Sequence, residues 1–212
     1  PPDRGVHPLA QWLSFMTPDL LIALVAFAFV TSLSPGPNNL MLMASGANFG
    51  FRRTIPHMLG VGVGFMVMVL LVGLGLSQVF DAYPVSYTVL NAASLIYLLY
   101  LAWKIANAAA PKEANGLGTP MSFLQAAGFQ WVNPKAWAMA LTSISLYAPD
   151  RSMGSMLMVA LVFGAINLPC VSSWTVLGQQ MRRVLTNPAR LRLFNWTMAV
   201  LLVGSTLPVL LA

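Results

Sequence analysis

The chain has 212 residues, of which 58% are hydrophobic and only 8% are charged. A soluble domain carries about 25% charged residues, so this chain has too few charges to cover a soluble exterior, and we expect a polytopic integral membrane protein. The formal net charge of +6 indicates an excess of Lys and Arg in cytoplasmic loops rather than nucleic-acid binding, because no basic patch alternates with aromatic residues.

Charged residues divide the sequence into apolar segments, and two short ones on either side of Lys135 combine into one. A helix needs about 20 residues to cross the hydrocarbon core of a membrane. The segments predict six transmembrane helices, centred near Val30, Val67, Ile96, Lys135, Phe163 and Leu202. The predicted fold class is therefore an all-α integral membrane protein.

Residues 1–18 precede the first predicted span. The stretch from Leu9 to Phe15 is amphipathic, so we expect residues 1–18 to form an interfacial segment on the membrane. The chain begins with Pro1, and this segment is too polar and too interrupted by proline for the apolar core of a signal peptide. We therefore expect no cleavable signal peptide.

The first span is interrupted by the sequence Ser34-Pro35-Gly36-Pro37-Asn38-Asn39. Pro35 and Pro37 each remove a backbone donor and clash with the preceding turn. Because hydrocarbon offers no hydrogen bonds, such a break must be buried in protein or line a polar cavity. One interpretation is a structural kink, and the other is half of a transport site, with half-helix ends and Asn38 and Asn39 as donors and acceptors.

The second span is rich in glycine. Gly60 and Gly64 lie four residues apart, a spacing that favours close helix approach and could also support a homodimer. His57 stands near the start of this span, where it could carry a proton, although a histidine at a membrane boundary is more often solvated or structural.

The fourth span holds a second break, Gln130-Trp131-Val132-Asn133-Pro134-Lys135. A charge in mid-helix costs roughly 2.5–3.5 kcal/mol on insertion scales, and no Asp or Glu lies inside any predicted span. Lys135 is therefore suited to receive an anionic group such as a substrate carboxylate. The alternatives are that Lys135 reaches the interface or pairs with carbonyls freed by Pro134. Gln130 and Asn133 share a helix face and either line the same cavity or join helices.

Few other residues suggest chemistry. Asn167 and Pro169 interrupt the fifth span and carry less weight as cavity residues. The single cysteine, Cys170, lies in an apolar run and is expected to pack as a small hydrophobe. The sequence has no cluster of His, Cys and carboxylate at ligand spacing and no nucleotide-binding loop, so we expect no metal, no cofactor and no enzymatic activity.

The two breaks suggest an inverted repeat. Pro35 and Pro134 each lie in the first span of a three-span half, and two halves of three spans must enter the membrane in opposite directions. We assign the halves to residues 19–110 and 121–212, joined by a central cytoplasmic loop at residues 111–120.

Basic residues predict the orientation. The loops after spans one, three and five contain Arg52, Arg53, Lys104, Lys112, Arg182, Arg183, Arg190 and Arg192, whereas the opposite side carries Arg4 and Arg151. These three loops are therefore expected to be cytoplasmic, with both termini on the periplasmic side.

Several segments resemble the LysE/RhtB family of amino-acid exporters. They are Ser34-Pro35-Gly36-Pro37-Asn38, Gly50-Phe51-Arg52-Arg53, Gly60-Val61-Gly62-Val63-Gly64, Tyr97-Leu98-Leu99-Tyr100-Leu101-Ala102-Trp103-Lys104 and Phe129-Gln130-Trp131-Val132-Asn133-Pro134-Lys135-Ala136. The resemblance extends over essentially the whole chain, in the family's order. It implies export of amino acids or close derivatives across a bacterial inner membrane, driven by the proton motive force. It also implies a transport core made of Pro35, Gly36, Pro37, Asn38, Asn133, Pro134 and Lys135.

We predict a secondary exporter that works by alternating access, with an amino acid and the lipid bilayer as its partners. The predicted substrate-binding residues are Pro35, Gly36, Pro37, Asn38, Asn39, Gln130, Asn133, Pro134 and Lys135. Two alternatives are a metal or cation exporter, which should carry acidic, His or Cys ligands inside its spans, and a membrane-embedded enzyme, which would need a nucleophile with a base or a metal pair. The sequence offers neither set.

Overall fold

The computed structural model describes residues 17–76, 78, 82–83, 85–108 and 119–210, and these residues contain helices and no strand. The described residues form eight α-helices with defined bounds, namely α1 Pro18–Leu33, α2 Pro37–Phe49, α3 Phe51–Leu71, α4 Val85–Ala106, α5 Phe123–Phe129, α6 Pro134–Tyr147, α7 Met153–Met181 and α8 Pro188–Leu210. A π-helical turn, Val72–Leu76, follows α3, and a 3₁₀ turn, Gln130–Val132, separates α5 from α6. The predicted interfacial segment (up to residue 16) and most of the predicted central loop lie outside the described residues.

Three segments of the described chain are long and apolar enough to cross a membrane: Phe51–Leu76, Thr88–Ala106 and Met153–Met181. The pair α1 and α2 forms a fourth if it is counted as one span bent by 54°. The predicted all-helical class is confirmed, whereas the count of six spans and the inverted repeat stay predictions.

Short polar side chains cap the first turns of α1 and α7. Thr17 accepts a hydrogen bond from the Leu20 N–H at 3.3 Å at the start of α1, and Ser152 does the same for Ser155 at 3.1 Å at the start of α7. These bonds satisfy amide groups that the first helical turn leaves unpaired. They define the ends of the two helices that pack beside each other at the centre of the molecule.

Helix α7 lies at the centre of the molecule, because it packs against α1, α2 and α3. Its Phe163 is fully buried, and the ring lies 6.1 Å from Phe27 of α1 and 5.2 Å from Phe65 of α3, both edge to face. Gly46 of α2 and Gly178 of α7 lie directly against the backbone of the other helix. The absence of side chains there allows α2 and α7 to cross in close contact.

The glycines of α3 pack in the same way on α5. A Cβ atom on Gly64 would lie only 2.6 Å from Ala127 Cα, and one on Gly60 would lie 2.7 Å from Ala126 Cβ. The predicted close approach therefore takes place within the chain, and this face of α3 is not free to form a homodimer. Gly62, between them, would place its Cβ more than 4 Å from other atoms.

The two glycines provide a matched test of this packing. Gly62→Ala should stabilise the protein by up to about 1 kcal/mol, because alanine is the better helix former. Gly64→Ala should destabilise it by about 1–3 kcal/mol, because the methyl group meets the α5 backbone. Thermal unfolding in detergent measures both changes, and equal shifts of the same sign would contradict the close packing.

Candidate functional site

The first break leaves a series of backbone carbonyls without helical partners. Helix α1 ends at Leu33 and α2 begins at Pro37, and neither Pro35 nor Pro37 has an N–H to offer. Side chains supply donors in their place. The Ser34 hydroxyl donates to the Thr31 carbonyl at 2.9 Å, and the Trp174 indole of α7 donates to the Leu33 carbonyl at 3.0 Å.

Asn39 satisfies two further carbonyls of the break. Its amide nitrogen donates to Ser32 O at 2.7 Å and to Ser34 O at 2.8 Å. The residue is 4% exposed, so removal of this side chain would leave Ser32 O without its donor in a buried environment, while Ser34 O would keep the hydrogen bond from Lys135. Asn39 therefore stabilises the break, and both N–H groups of its amide already donate hydrogen bonds in this structure.

The second break positions Lys135 at the start of α6. Asn133 leaves the helical conformation (φ −99°, ψ 106°), and its side-chain oxygen caps α6 by accepting the Lys135 N–H at 3.1 Å. Pro134 occupies the first helical position, where a missing N–H has no cost. This turn directs the long Lys135 side chain away from its own helix and toward the first break.

Lys135 joins the two breaks. Its ammonium group donates to Ser34 O and Ser34 Oγ, both at 2.8 Å, and to Pro35 O at 3.3 Å. Gly36 leaves room for the side chain, because a Cβ atom there would lie 2.7 Å from Lys135 Cδ. Of the interpretations of Lys135 that the sequence left open, the structure shows the one in which Lys135 pairs with backbone carbonyls. These carbonyls belong to the break at Pro35, however, and not to the one at Pro134.

A second connection between the breaks is an amide pair. Asn38 Nδ2 donates to Gln130 Oε1 at 2.9 Å, and Gln130 Nε2 donates back to Asn38 Oδ1 at 3.3 Å. Gln130 also donates to the Ala126 carbonyl at 2.8 Å. The pair joins α2 to the 3₁₀ turn that precedes α6, so the two breaks meet through both a cationic and a neutral contact.

These groups surround a small cavity of about 30 Å³. A water molecule requires roughly 10–15 Å³ of cavity volume. The cavity therefore has room for about two waters and is too small for an amino acid. The lining residues are Thr31, Ser32, Gly36, Asn38, Asn39, Phe65, Gln130, Asn133, Lys135, Ala136, Met139, Asn167 and Val171. None of them is acidic.

Asn167 provides an unused acceptor in this wall. Its Nδ2 donates to Ser32 Oγ at 3.2 Å, but its Oδ1 is buried with no hydrogen-bond partner among the described residues. Such a group is unfavourable by about 1–3 kcal/mol unless a water or a ligand meets it. Asn167, which the sequence indicated only weakly, is thus a full member of the cavity.

The predicted site residues divide into two groups in the structure. Six line the cavity, namely Gly36, Asn38, Asn39, Gln130, Asn133 and Lys135. Pro35, Pro37 and Pro134 are outside the lining and shape the two breaks. Sequence analysis did not identify Ser32 or Trp174, because a serine or tryptophan inside an apolar span carries no signal of its hydrogen-bond partner.

His57 lies in a second, larger cavity of about 330 Å³. It is 1% exposed, and neither ring nitrogen has a hydrogen-bond partner in the described chain. The boundary position had suggested a solvated or a structural histidine, and the burial of the ring favours the structural alternative. Ser45, Asn48 and Lys104 line the same cavity.

Comparisons with known proteins agree on one family. A family model, LysE type translocator, matches residues 29–211. Three similar curated proteins each bear the name cysteine/O-acetylserine efflux protein. The one from Escherichia coli O1:K1 / APEC is 31% identical over 197 residues, 89% of this chain and 96% of the relative. The one from Salmonella choleraesuis (strain SC-B67) is 32% identical over 196 residues, and the one from Escherichia coli (strain K12) 30% over 197, with the same coverage of both chains. No solved structure matches the chain.

Asn39→Ala tests whether the Asn39 side chain stabilises the first break. The substitution leaves the buried Ser32 O unpaired and removes one of the two donors to Ser34 O, so it should lower the free energy of unfolding by about 1–3 kcal/mol. Asn107 gives the control, because its amide also donates to a carbonyl (Trp103 O, 2.8 Å) but at an exposed position, and Asn107→Ala should change stability by less than about 0.5 kcal/mol. Unfolding in detergent compares the two variants, and a similar loss of unfolding free energy in both would refute the stabilising role of Asn39.

Proposed function

The chain belongs to the LysE type translocator family, and on this premise we propose that it exports an amino acid or a close derivative across the bacterial inner membrane, driven by the proton motive force. The similar proteins are named for efflux of cysteine and O-acetylserine. We therefore propose a small amino acid with a short polar side chain as the substrate to test first. No observation favours the metal exporter, since the described residues hold no group of three or more His, Cys, Asp or Glu that could bind a metal ion.

The observation that carries this proposal is the ammonium group of Lys135 in a cavity without an acidic residue. Its present acceptors are neutral oxygens of Ser34 and Pro35. A carboxylate is a stronger acceptor, because charge-assisted hydrogen bonds are about twice as strong as neutral ones. We propose that the substrate carboxylate displaces at least one of these oxygens, so that Lys135 exchanges an internal partner for the transported one.

The other end of the substrate needs acceptors. An amino group is a cation with three donors, and Asn167 Oδ1 is a buried acceptor without a partner in the part of the chain that the structure describes. We propose that this oxygen receives the substrate amino group, with Asn38, Asn39, Gln130 and Asn133 providing further polar contacts from the two breaks. The proposal separates the two charged groups of the substrate between α6 and α7.

The size of the cavity supports alternating access. A space of about 30 Å³ does not admit an amino acid, so the contacts between the breaks must separate before substrate binds. The Asn38–Gln130 pair and the Lys135–Ser34 bonds are the contacts to be opened, and both join the first half to the second. We propose that the halves at residues 19–110 and 121–212 form the inverted repeat of a six-span transporter and rock against each other around these contacts.

One face of α2 provides a route to this site. Asn38, Met41, Ser45 and Asn48 follow a helical spacing of three to four residues, so they lie along one face. Asn38 lines the central cavity and Ser45 and Asn48 line the larger one, about 10–15 Å away at 1.5 Å per residue. With the basic loops on the cytoplasmic side and both termini outside, the larger cavity is the proposed cytoplasmic vestibule.

Lys135→Met tests the substrate contact. In proteoliposomes, export of cysteine or O-acetylserine should lose at least about thirtyfold in kcat/KM, because a buried charged hydrogen bond contributes 2–5 kcal/mol when one partner is removed. Lys135→Arg should retain part of the activity, and Arg190→Met, which removes one positive charge at the start of α8, should leave it unchanged. Normal export by Lys135→Met protein that is folded and inserted would show that the assigned role is wrong.

The energy source has a separate test. Proteoliposomes with an imposed proton gradient should accumulate substrate, and a protonophore should abolish at least about nine-tenths of the gradient-driven flux. A sodium gradient of equal size is the control and should drive none. Unchanged accumulation in the presence of protonophore would refute proton coupling and leave amino-acid export to be judged by the counterflow of labelled substrate.

A further inference from the structure

A basic groove lies away from both cavities, where two helix ends meet. Arg52 and Arg53 open α3, and Arg182 and Arg183 follow the end of α7. All four line a groove of about 710 Å³ together with Phe49, Gly50, Phe51, Val176 and Gln179. No residue of the described lining is acidic, so four like charges converge without a carboxylate between them.

This convergence follows from the close crossing of α2 and α7. The crossing at Gly46 and Gly178 brings the last turn of α7 beside the short connection that leads from α2 into α3. Gln179 then fixes the connection, because its Oε1 accepts the Phe51 N–H at 2.6 Å. The two arginine pairs, far apart in sequence, are thereby brought to the lining of one groove.

The charge distribution makes the groove a candidate anion site. The acidic residues among those described are Asp19 and Asp150, which lie near the starts of α1 and α7, at the opposite ends of the segments that lead to the groove. Arg53 is placed over the Phe49 ring, with its guanidinium carbon 5.7 Å from the ring centroid, which favours a defined orientation. Guanidinium groups bind phosphate oxygens in a bidentate manner.

The surroundings of the groove favour a phosphate that carries hydrocarbon. Val176 in the wall and Leu177 beside it are exposed on α7, and Ile55 and Leu59 are exposed on α3, one and two turns after Arg52. In a membrane protein these exposed apolar side chains face acyl chains. We propose that the groove binds the phosphate headgroup of an anionic phospholipid, with its acyl chains lying over α3 and α7.

The ordinary role of these arginines is to orient the protein in the membrane, and this role requires only their number. A headgroup site, in contrast, requires that the arginines lie close together in one groove. Arg190 and Arg192 provide the comparison, because they lie in the first turns of α8, at the same proposed side of the membrane, but are absent from the groove lining. A double substitution at either pair removes the same charge.

Native mass spectrometry of the full chain in detergent, after delipidation, tests the proposal with phosphatidylglycerol and phosphatidylcholine as probes. The unaltered protein should retain phosphatidylglycerol at least about tenfold more strongly than phosphatidylcholine. Arg182→Gln/Arg183→Gln should lose at least about tenfold of the phosphatidylglycerol affinity, and Arg190→Gln/Arg192→Gln less than about threefold, as expected for charge-assisted contacts in one site. Size-exclusion chromatography and melting temperature verify that each variant is folded.

Three results would overturn the proposal. Equal losses in the two double variants would mean that only total charge matters. Absence of any preference for phosphatidylglycerol would remove the anionic headgroup. Displacement of the lipid by inorganic phosphate at equal concentration would mean a site for free phosphate. If Arg182→Gln/Arg183→Gln does not fold, Arg52→Gln/Arg53→Gln removes the other arginine pair of the groove and must give the same selective loss.

Discussion

Unpaired backbone groups at the first break are the constraint on which the arrangement of this protein depends. Pro35 and Pro37 remove donors, and the carbonyls from Thr31 to Pro35 then lack helical partners in an apolar setting where each unsatisfied group costs several kcal/mol. Every one of these five carbonyls accepts a side-chain hydrogen bond, from Ser34, Asn39, Trp174 or Lys135. The break is therefore a polar centre around which neighbouring helices are ordered.

The origin of the donors explains why this centre couples distant parts of the chain. Ser34 and Asn39 are local, but Trp174 comes from α7 and Lys135 from α6. Because Lys135 is directed by the second break, through the Asn133 cap and Pro134 at the first helical position, neither break is complete without the other. Separation of α6 from the first break would remove the donor to Pro35 O and one of the two donors to Ser34 O, and a water molecule or a substrate would have to replace the ammonium group.

Sequence reasoning predicted much of this centre, for identifiable reasons. Prolines in an apolar span and a lysine beside Asn-Pro break strong local rules, so Pro35, Pro134 and Lys135 were visible from local chemistry alone. The hydrogen-bond partners that α7 contributes were not visible from the sequence. That Trp174 reaches Leu33 O, or that Asn167 bonds Ser32, depends on how α7 rotates and crosses α1 and α2, which the glycine contacts at Gly46 and Gly178 determine. For His57 the sequence left a solvated and a structural role open, since burial at a helix end depends on which neighbours cover it.

The proposed exchange at Lys135 also bears on how tightly such a site can bind. A substrate carboxylate gains a charge-assisted bond, but it must first release the ammonium group from Ser34 and Pro35 and leave those carbonyls to other donors. The net affinity is therefore the difference between two bonds rather than the full strength of one. For an exporter this is an advantage, because the substrate is loaded where it is abundant and has to leave on the other side. In the proposed mechanism, the internal carbonyls that hold Lys135 in the closed cavity would also displace the substrate when the two halves close again, and the break that stabilises the structure would then contribute to release.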